Sequence, residues 1–266
     1  MIDLHTHILP GLDDGPATLE GSVAFARAAY ESGTETVVAT PHIRADHPFP
    51  RELIDVRLRE LRSALATEGI PLQVLAGGEV ATVELLELDD EALRSVCLGE
   101  SLYVLVESPY TLVGELLEQI LFEAQLRGLR PLLAHPERSP CFLQDVERLA
   151  RLVERGVLCS VTAGSMEGVF GRTVKAFTTG LFERGLVHDV ASDSHGTGRR
   201  PPGLSRAFEV LDADLPGLAD HAEWFTVTAP AAILEGADVP SAPPHPRRSV
   251  SRRIASALRG VASQSA

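Results

Sequence analysis

The chain has 266 residues, 44% of them hydrophobic and 23% charged, which is enough apolar material for one large α/β domain or two small ones. Its formal net charge of -13 argues against a general nucleic-acid binder, although a locally cationic centre could still handle phosphates. No apolar run approaches the roughly 20 residues needed to span a bilayer. Cys97, Cys141 and Cys159 are scattered and odd in number, with no Cys-x-x-Cys pair, so neither a disulfide framework nor thiolate-bound zinc is expected. None has an arginine six positions on, since Tyr103, Glu147 and Ser165 stand there, which excludes the Cys-x5-Arg loop of thiol-based tyrosine phosphatases.

Short β-rich runs alternate with amphipathic stretches almost from end to end. The first strand, Ile2 to Ile8, carries His5 and His7, which share one face because side chains alternate along an extended segment. Beyond it, Asp13-Asp14-Gly15 forms a turn whose carboxylates could add oxygen ligands. A helix over Leu19 to Glu31 precedes a strand over Thr36 to Pro41, followed at once by His42. The next helix, Arg51 to Glu68, leads to a strand over Leu72 to Val80 that contains Glu79; the strand from Leu102 ends at Glu107. A helix over Leu112 to Arg127 separates this from Arg130 to His135. The helix Leu143 to Arg155 is followed by a strand over Val157 to Thr162; the last strand, Val187 to Ser192, runs into Asp193-Ser194-His195. Gly33, Gly69, Gly128, Gly156 and Gly185 read as helix C-caps. Seven strands, each followed by a helix or loop, predict a (β/α) barrel of parallel strands.

A final helix over Ala229 to Gly236 gives way to Pro240, Pro243, Pro244 and Pro246. Residues 1–238 are therefore expected to form the barrel, and residues 239–266 a disordered tail. The tail holds five arginines and no acid, so the remaining 24 less five basic residues face 37 acidic ones, a net of -18. Its other reading is a short basic helix that touches an anionic membrane or an acidic partner. No cationic apolar leader precedes Asp3, which sets the expectation of a cytoplasmic protein.

Six of the seven strands deliver a histidine or an acid to the same end, where barrel active sites sit: His5 and His7, His42, Glu79, Glu107, His135, then Asp193 and His195. One such residue would be noise, but their recurrence favours a metal centre. Imidazole and carboxylate without thiolate suit manganese, iron or zinc. Such ions lower the pKa of water toward neutrality and stabilise the oxygens of a phosphoryl group, so no protein nucleophile is required. Arg138 and Arg200 follow His135 and His195 closely enough to bind phosphate oxygens bidentately, with Arg199 an alternative to Arg200. Tyr110 could stack on a substrate ring or pack in the core, and His47 could line the entrance or sit in solvent.

The segments MIDLHTHILPGLDDG, VVATPH, LAGGE, LAHPER, TAGSMEGVFG and VASDSH resemble, in order and spacing, the polymerase and histidinol phosphatase (PHP) superfamily. Within it they are most similar to the bacterial manganese-dependent protein-tyrosine phosphatases of capsular and exopolysaccharide operons, over roughly residues 1–236. The resemblance implies a distorted (β/α)7 barrel with its metal site at the C-terminal ends of the strands, holding up to three ions, Mn2+ before Fe or Zn. It further implies His5, His7, Glu79 and Asp193 for a first ion, Glu79, Glu107 and His135 for a second, and Asp14, His42 and His195 for a third. Asp14 is preferred to Asp13 on the same basis. Arg138 and Arg200 match the phosphate-binding and catalytic positions. The implied substrate is the phosphotyrosine tail of a bacterial tyrosine kinase, and a homo-oligomer is slightly favoured over a monomer. Two alternatives keep their place: a phosphatase of small esters such as histidinol phosphate or a sugar phosphate, and a kinase- or membrane-binding regulatory module.

Overall fold

A computed structural model describes residues 1–46, 52–110, 114–198 and 200–244. In chain order the elements are β1 (Ile2–Thr6), α1 (Leu19–Glu31), β2 (Thr36–Ala39), β3 (His42–Ile43), α2 (Glu52–Glu68), β4 (Gln73–Ala76), β5 (Glu79–Ala81), α3 (Glu84–Glu87), α4 (Asp90–Arg94) and β6 (Tyr103–Glu107). There follow α5 (Gly114–Leu126), β7 (Arg130–Ala134), α6 (Pro140–Gln144), α7 (Val146–Glu154), β8 (Leu158–Thr162), α8 (Ala163–Glu167), α9 (Arg172–Glu183), β9 (Asp189–Ala191), α10 (Ser205–Asp212) and α11 (Ala229–Leu234).

Every strand pairing is parallel. The strands form two sheets, ordered β1-β2-β4 and β3-β5-β6-β7-β8-β9, where the sequence predicts one continuous barrel wall. The third predicted strand is cut in two, and the second stops short of its predicted end at Pro41, with a separate short strand, β3, after it. Thr40-Pro41 ends the second at Ala39 and separates it from β3, because proline offers no amide to the ladder. Gly77-Gly78 interrupts the third: a Cβ on Gly77 would lie 2.8 Å from Val38 and one on Gly78 2.8 Å from Ile43, so only bare backbone passes there. At these breaks the chain steps from one sheet to the other, and the Glu79 amide donates to the Pro41 carbonyl at 3.0 Å. The outer strands also meet, through Asp193 N–H to His5 C=O at 3.0 Å and His7 N–H to Ser194 C=O at 2.9 Å.

The helices bury the faces their periodicity marks. On α1, Ser22, Phe25, Ala26 and Ala29 are buried, and Thr18 caps its N-terminus by accepting from the Gly21 amide at 3.2 Å. On α2 the buried stripe is Ile54, Leu58, Leu61 and Leu65. The five predicted cap glycines all have positive φ, where other residues are strained. The main core lies between strands and helices, and a smaller cluster of Leu4, Val38, Leu98, Tyr103, Leu105, Leu132, Ala134 and Ile233 packs separately. Cys97, Cys141 and Cys159 are buried and unpaired with one another, as expected.

After α11 the chain is tied back to the strands. Tyr103 donates to the Ala237 carbonyl at 2.9 Å, and Arg130 pairs with Asp238. Of the predicted basic tail, residues 245–266 lie outside the described residues, as do His47, Arg51, Arg199 and the start of the predicted Leu112 helix. Among the described residues no helix is long and apolar enough to cross a membrane.

Candidate metal centre

The nine predicted ligands converge at one end of the strands. His5 lies in β1 and His7 just past it; His42 opens β3, Glu79 opens β5, Glu107 closes β6, and His135, Asp193 and His195 follow β7 and β9. The two Nε2 atoms of His5 and His7 stand 3.2 Å apart. Around them, Glu79 Oε2 lies 3.2 Å from His5 and 3.4 Å from His7, while Asp193 Oδ1 lies 3.5 and 3.4 Å away. Donors about 2.1 Å from one ion sit roughly 3.0–3.5 Å from each other, so this quartet has the dimensions of a coordination shell. Two imidazole lone pairs facing at that distance repel unless a cation or a shared proton stands between them.

The other donors extend the cluster in two directions. His135 Nε2 lies 2.8 Å from Glu79 Oε1, and Glu107 comes within reach of His42 and Glu79. On the far side, Asp14 Oδ1 lies 3.0 Å from His195 Nε2 and 3.6 Å from His42 Nε2, with the His195 ring stacked on His7 at 3.9 Å. Grouped purely by mutual distance, the side chains form four overlapping sets rather than three separate ones: His7, Asp14, His42 and His195; His5, His7 and Asp193; His5, Glu79 and His135; His42, Glu79 and Glu107. His7, His5, His42 and Glu79 each serve two of them. The chemistry of this donor set fits hard or borderline divalent ions.

Electrostatics explain why buried acids can stand here. Burial alone would raise the pKa values of Glu79 and Asp193, but the His5 charge, followed by hydrogen bonds from neighbouring imidazoles, holds both well below the usual carboxylate range. Conversely, burial presses His7 toward neutrality, yet hydrogen bonds to Asp13, Asp193 and Glu79 raise it well above its ordinary value. A bound cation would take over this charge balance and let the histidines be neutral ligands.

Several supporting residues are not visible in the sequence reading. Asp13, passed over in favour of Asp14, has a buried side chain that accepts from His7 Nδ1 at 2.7 Å, from the His42 amide at 3.1 Å and from the Gly15 amide at 2.9 Å. It therefore fixes the His7 tautomer, leaving Nε2 free to ligate. Asp3 accepts from the backbone of His5 and Ser192 at 3.3 and 3.0 Å, tying β1 to the end of β9. Glu137 is fully buried and accepts from both the amide and the hydroxyl of Thr162, at 2.9 and 3.1 Å. The available signal was position: Asp3, Asp13 and Glu137 each stand within two residues of a predicted ligand. His135 and Asp193 carry a second signature, left-handed backbones with φ of 38° and 50°, the conformational strain that collects at functional sites.

Arg138 and Arg200 converge on one atom. Their Nη1 groups donate to Asp193 Oδ2 at 2.6 and 2.9 Å. Arg138 also reaches the Tyr110 hydroxyl at 2.6 Å and lies over the Phe170 ring at 4.4 Å. Tyr110 is half exposed and stacked on His135 at 5.9 Å, so it belongs to the rim and not to the core. Burial pushes its hydroxyl up to about 12, which keeps it protonated. Arg44, not predicted, stands 3.4 Å from Glu107. His188 accepts from the Cys159 amide at 3.1 Å and is lowered to about 4 by burial, the behaviour of a structural histidine.

Residues 1–235 match the profile of the family described as capsular polysaccharide synthesis, CpsB/CapC. The chain belongs to that family. It is 37% identical over 219 residues to the tyrosine-protein phosphatase YwqE of Bacillus subtilis, covering 80% of this chain and 85% of that one. To the tyrosine-protein phosphatase CpsB of Streptococcus pneumoniae it is 30% identical over 223 residues, 79% of this chain and 89% of the relative. A chain from the crystal structures of YwqE and CpsB, which are described as unique metal-dependent tyrosine phosphatases, superposes with a TM-score of 0.80 at 34% identity, covering 94% of this chain and all of that one. A β-aspartyl dipeptidase from Fervidobacterium islandicum shares the fold more distantly, with a TM-score of 0.54 at 18% identity over 93% of this chain and 78% of that one.

Proposed function

We propose that this family member is a metal-dependent phosphomonoesterase that hydrolyses protein phosphotyrosine, acting on a bacterial tyrosine kinase that governs capsular or exopolysaccharide synthesis. The observation that carries the reading is the convergence of Arg138 and Arg200 on Asp193, beside a quartet of donors spaced as a coordination shell. His5, His7, Glu79 and Asp193 would hold one ion; Glu79, Glu107 and His135 a second; Asp14, His42 and His195 a third. Manganese is the ion proposed, and the two parallel sheets are read as parts of a distorted barrel around them.

Bound divalent ions supply water of lowered pKa and positive charge for the phosphoryl oxygens. The protein's own part is to bind and orient. Arg138 and Arg200 present guanidinium donors to the equatorial oxygens, pre-aimed by their shared carboxylate. Tyr110, whose hydroxyl accepts from Arg138, keeps its own proton to donate to a phosphate oxygen. The departing tyrosine phenolate has a pKa of about 10, low enough to leave without a strong general acid.

The test is phosphate release from phosphotyrosine peptides by the manganese-loaded protein, with histidinol phosphate as the comparison substrate. Arg138→Ala is expected to lower kcat/KM on the peptide about 100-fold. A protein that prefers the small ester would shift the reading to a small-molecule phosphatase.

A further inference from the structure

The segment Thr162–Gly171 lies outside the metal motifs, yet its geometry is unusual. Gly168 and Gly171 both take left-handed backbones, with φ of 87° and 95°, and between them the chain presents Val169 and Phe170. Val169 is 61% exposed, an apolar side chain turned to solvent at the edge of the site. Phe170 is held in place from two sides. Arg138 covers its ring at 4.4 Å, and Gly164 approaches so closely that a Cβ there would lie 3.1 Å from the ring edge.

Beyond this pair is a cleft of about 70 Å3 whose apolar walls are Ala163, Val169, Phe170 and Pro201. Arg200 and Ser192 line it as well, so it is continuous with the arginine pair on Asp193. Glu167, the one carboxylate on its walls among the described residues, is engaged by Arg206 at 3.5 Å and would repel an anion. An occupant thus carries its negative charge at the arginines and an uncharged, flat apolar group toward Phe170 and Pro201.

We propose that this cleft is the aryl subsite: the phenyl ring of the phosphotyrosine rests against Val169, Phe170 and Pro201 while its phosphate meets Arg138 and Arg200. The inference rests on the phosphate-binding reading above and adds what selects the alcohol side of the ester. A phosphoserine side chain, without a ring, leaves the cleft unfilled and its apolar walls wet.

The experiment is calorimetric titration of the full-length, manganese-loaded protein with benzylphosphonate and methylphosphonate, neither of which can be hydrolysed. Benzylphosphonate is expected to bind about tenfold more tightly. Val169→Asn should cut that advantage to about twofold, and Val169→Phe should keep or enlarge it. Equal affinities in the wild-type protein, or an undiminished advantage in Val169→Asn, overturn the aryl subsite alone. Binding of neither phosphonate overturns the phosphate reading, and the subsite with it.

Discussion

Asp13 illustrates how much of the site is decided one atom beyond the ligands. A carboxylate can accept from the His7 ring, the His42 amide and the Gly15 amide at once, and an amide side chain cannot, because its nitrogen would face one of those N–H groups. Burial would raise Asp13, but the hydrogen bond and charge of His7, with the two amides, hold it below the usual carboxylate range, so it stands ionised beside the ring it orients. Asp13→Asn is therefore expected to weaken metal binding about 10- to 100-fold. Equilibrium dialysis against manganese measures this; an unchanged affinity would mean that His7 is oriented by packing alone. The same scale explains why Asp14, more than half exposed, and Asp13, buried next to it, cannot exchange roles despite being adjacent and chemically identical.

Among the secondary elements, the decisive events are interruptions. A pattern of alternating apolar residues reads Leu72 to Val80 as one strand, and in periodicity nothing marks a break. The break comes from space: Val38 and Ile43 on the neighbouring strands leave no room for a side chain at Gly77 or Gly78. Gly77→Ala would force its methyl to within 2.8 Å of Val38 and 3.2 Å of Leu98, which should cost about 1–3 kcal/mol of stability, read as a lower urea midpoint. Glu79 follows that crossing directly, so the glycines also deliver the carboxylate that the most imidazoles share. At the ends of β7 and β9, left-handed His135 and Asp193 do the corresponding work by turning the backbone where a strand would have continued.

For the whole molecule, two kinds of buried acid set opposite pH limits. Glu79 and Asp193 are held below their ordinary values, so the stability they contribute is lost only in strong acid. Asp189, paired with Ser160 and also facing the charge of Asp3, is pushed up to about 8 by burial from an ordinary 3.8. Its folded value is the higher one, so the folded protein keeps the proton that the unfolded chain gives up; stability is full below about pH 4 and falls as pH rises through 8. Asp189→Asn removes that titration. Melting temperatures of variant and wild type should separate progressively between pH 5 and 8 in favour of the variant and run parallel above. A constant offset across that range would show that Asp189 is not protonated in the folded protein.

Residue types and spacing were sufficient to establish the alternation of strands and helices, the cap glycines, the donors on successive strand ends and the two arginines, because a parallel α/β chain must repeat its polar residues at equivalent positions to build a site from many strands. The early end of the second strand and the break in the third, the division of labour between Asp13 and Asp14, the sharing of His7 and Glu79 between donor sets, and the exposed Val169 beside Phe170 were decided only by the tertiary structure. Each depends on which atoms approach from distant parts of the chain, and neither periodicity nor local propensity carries that information.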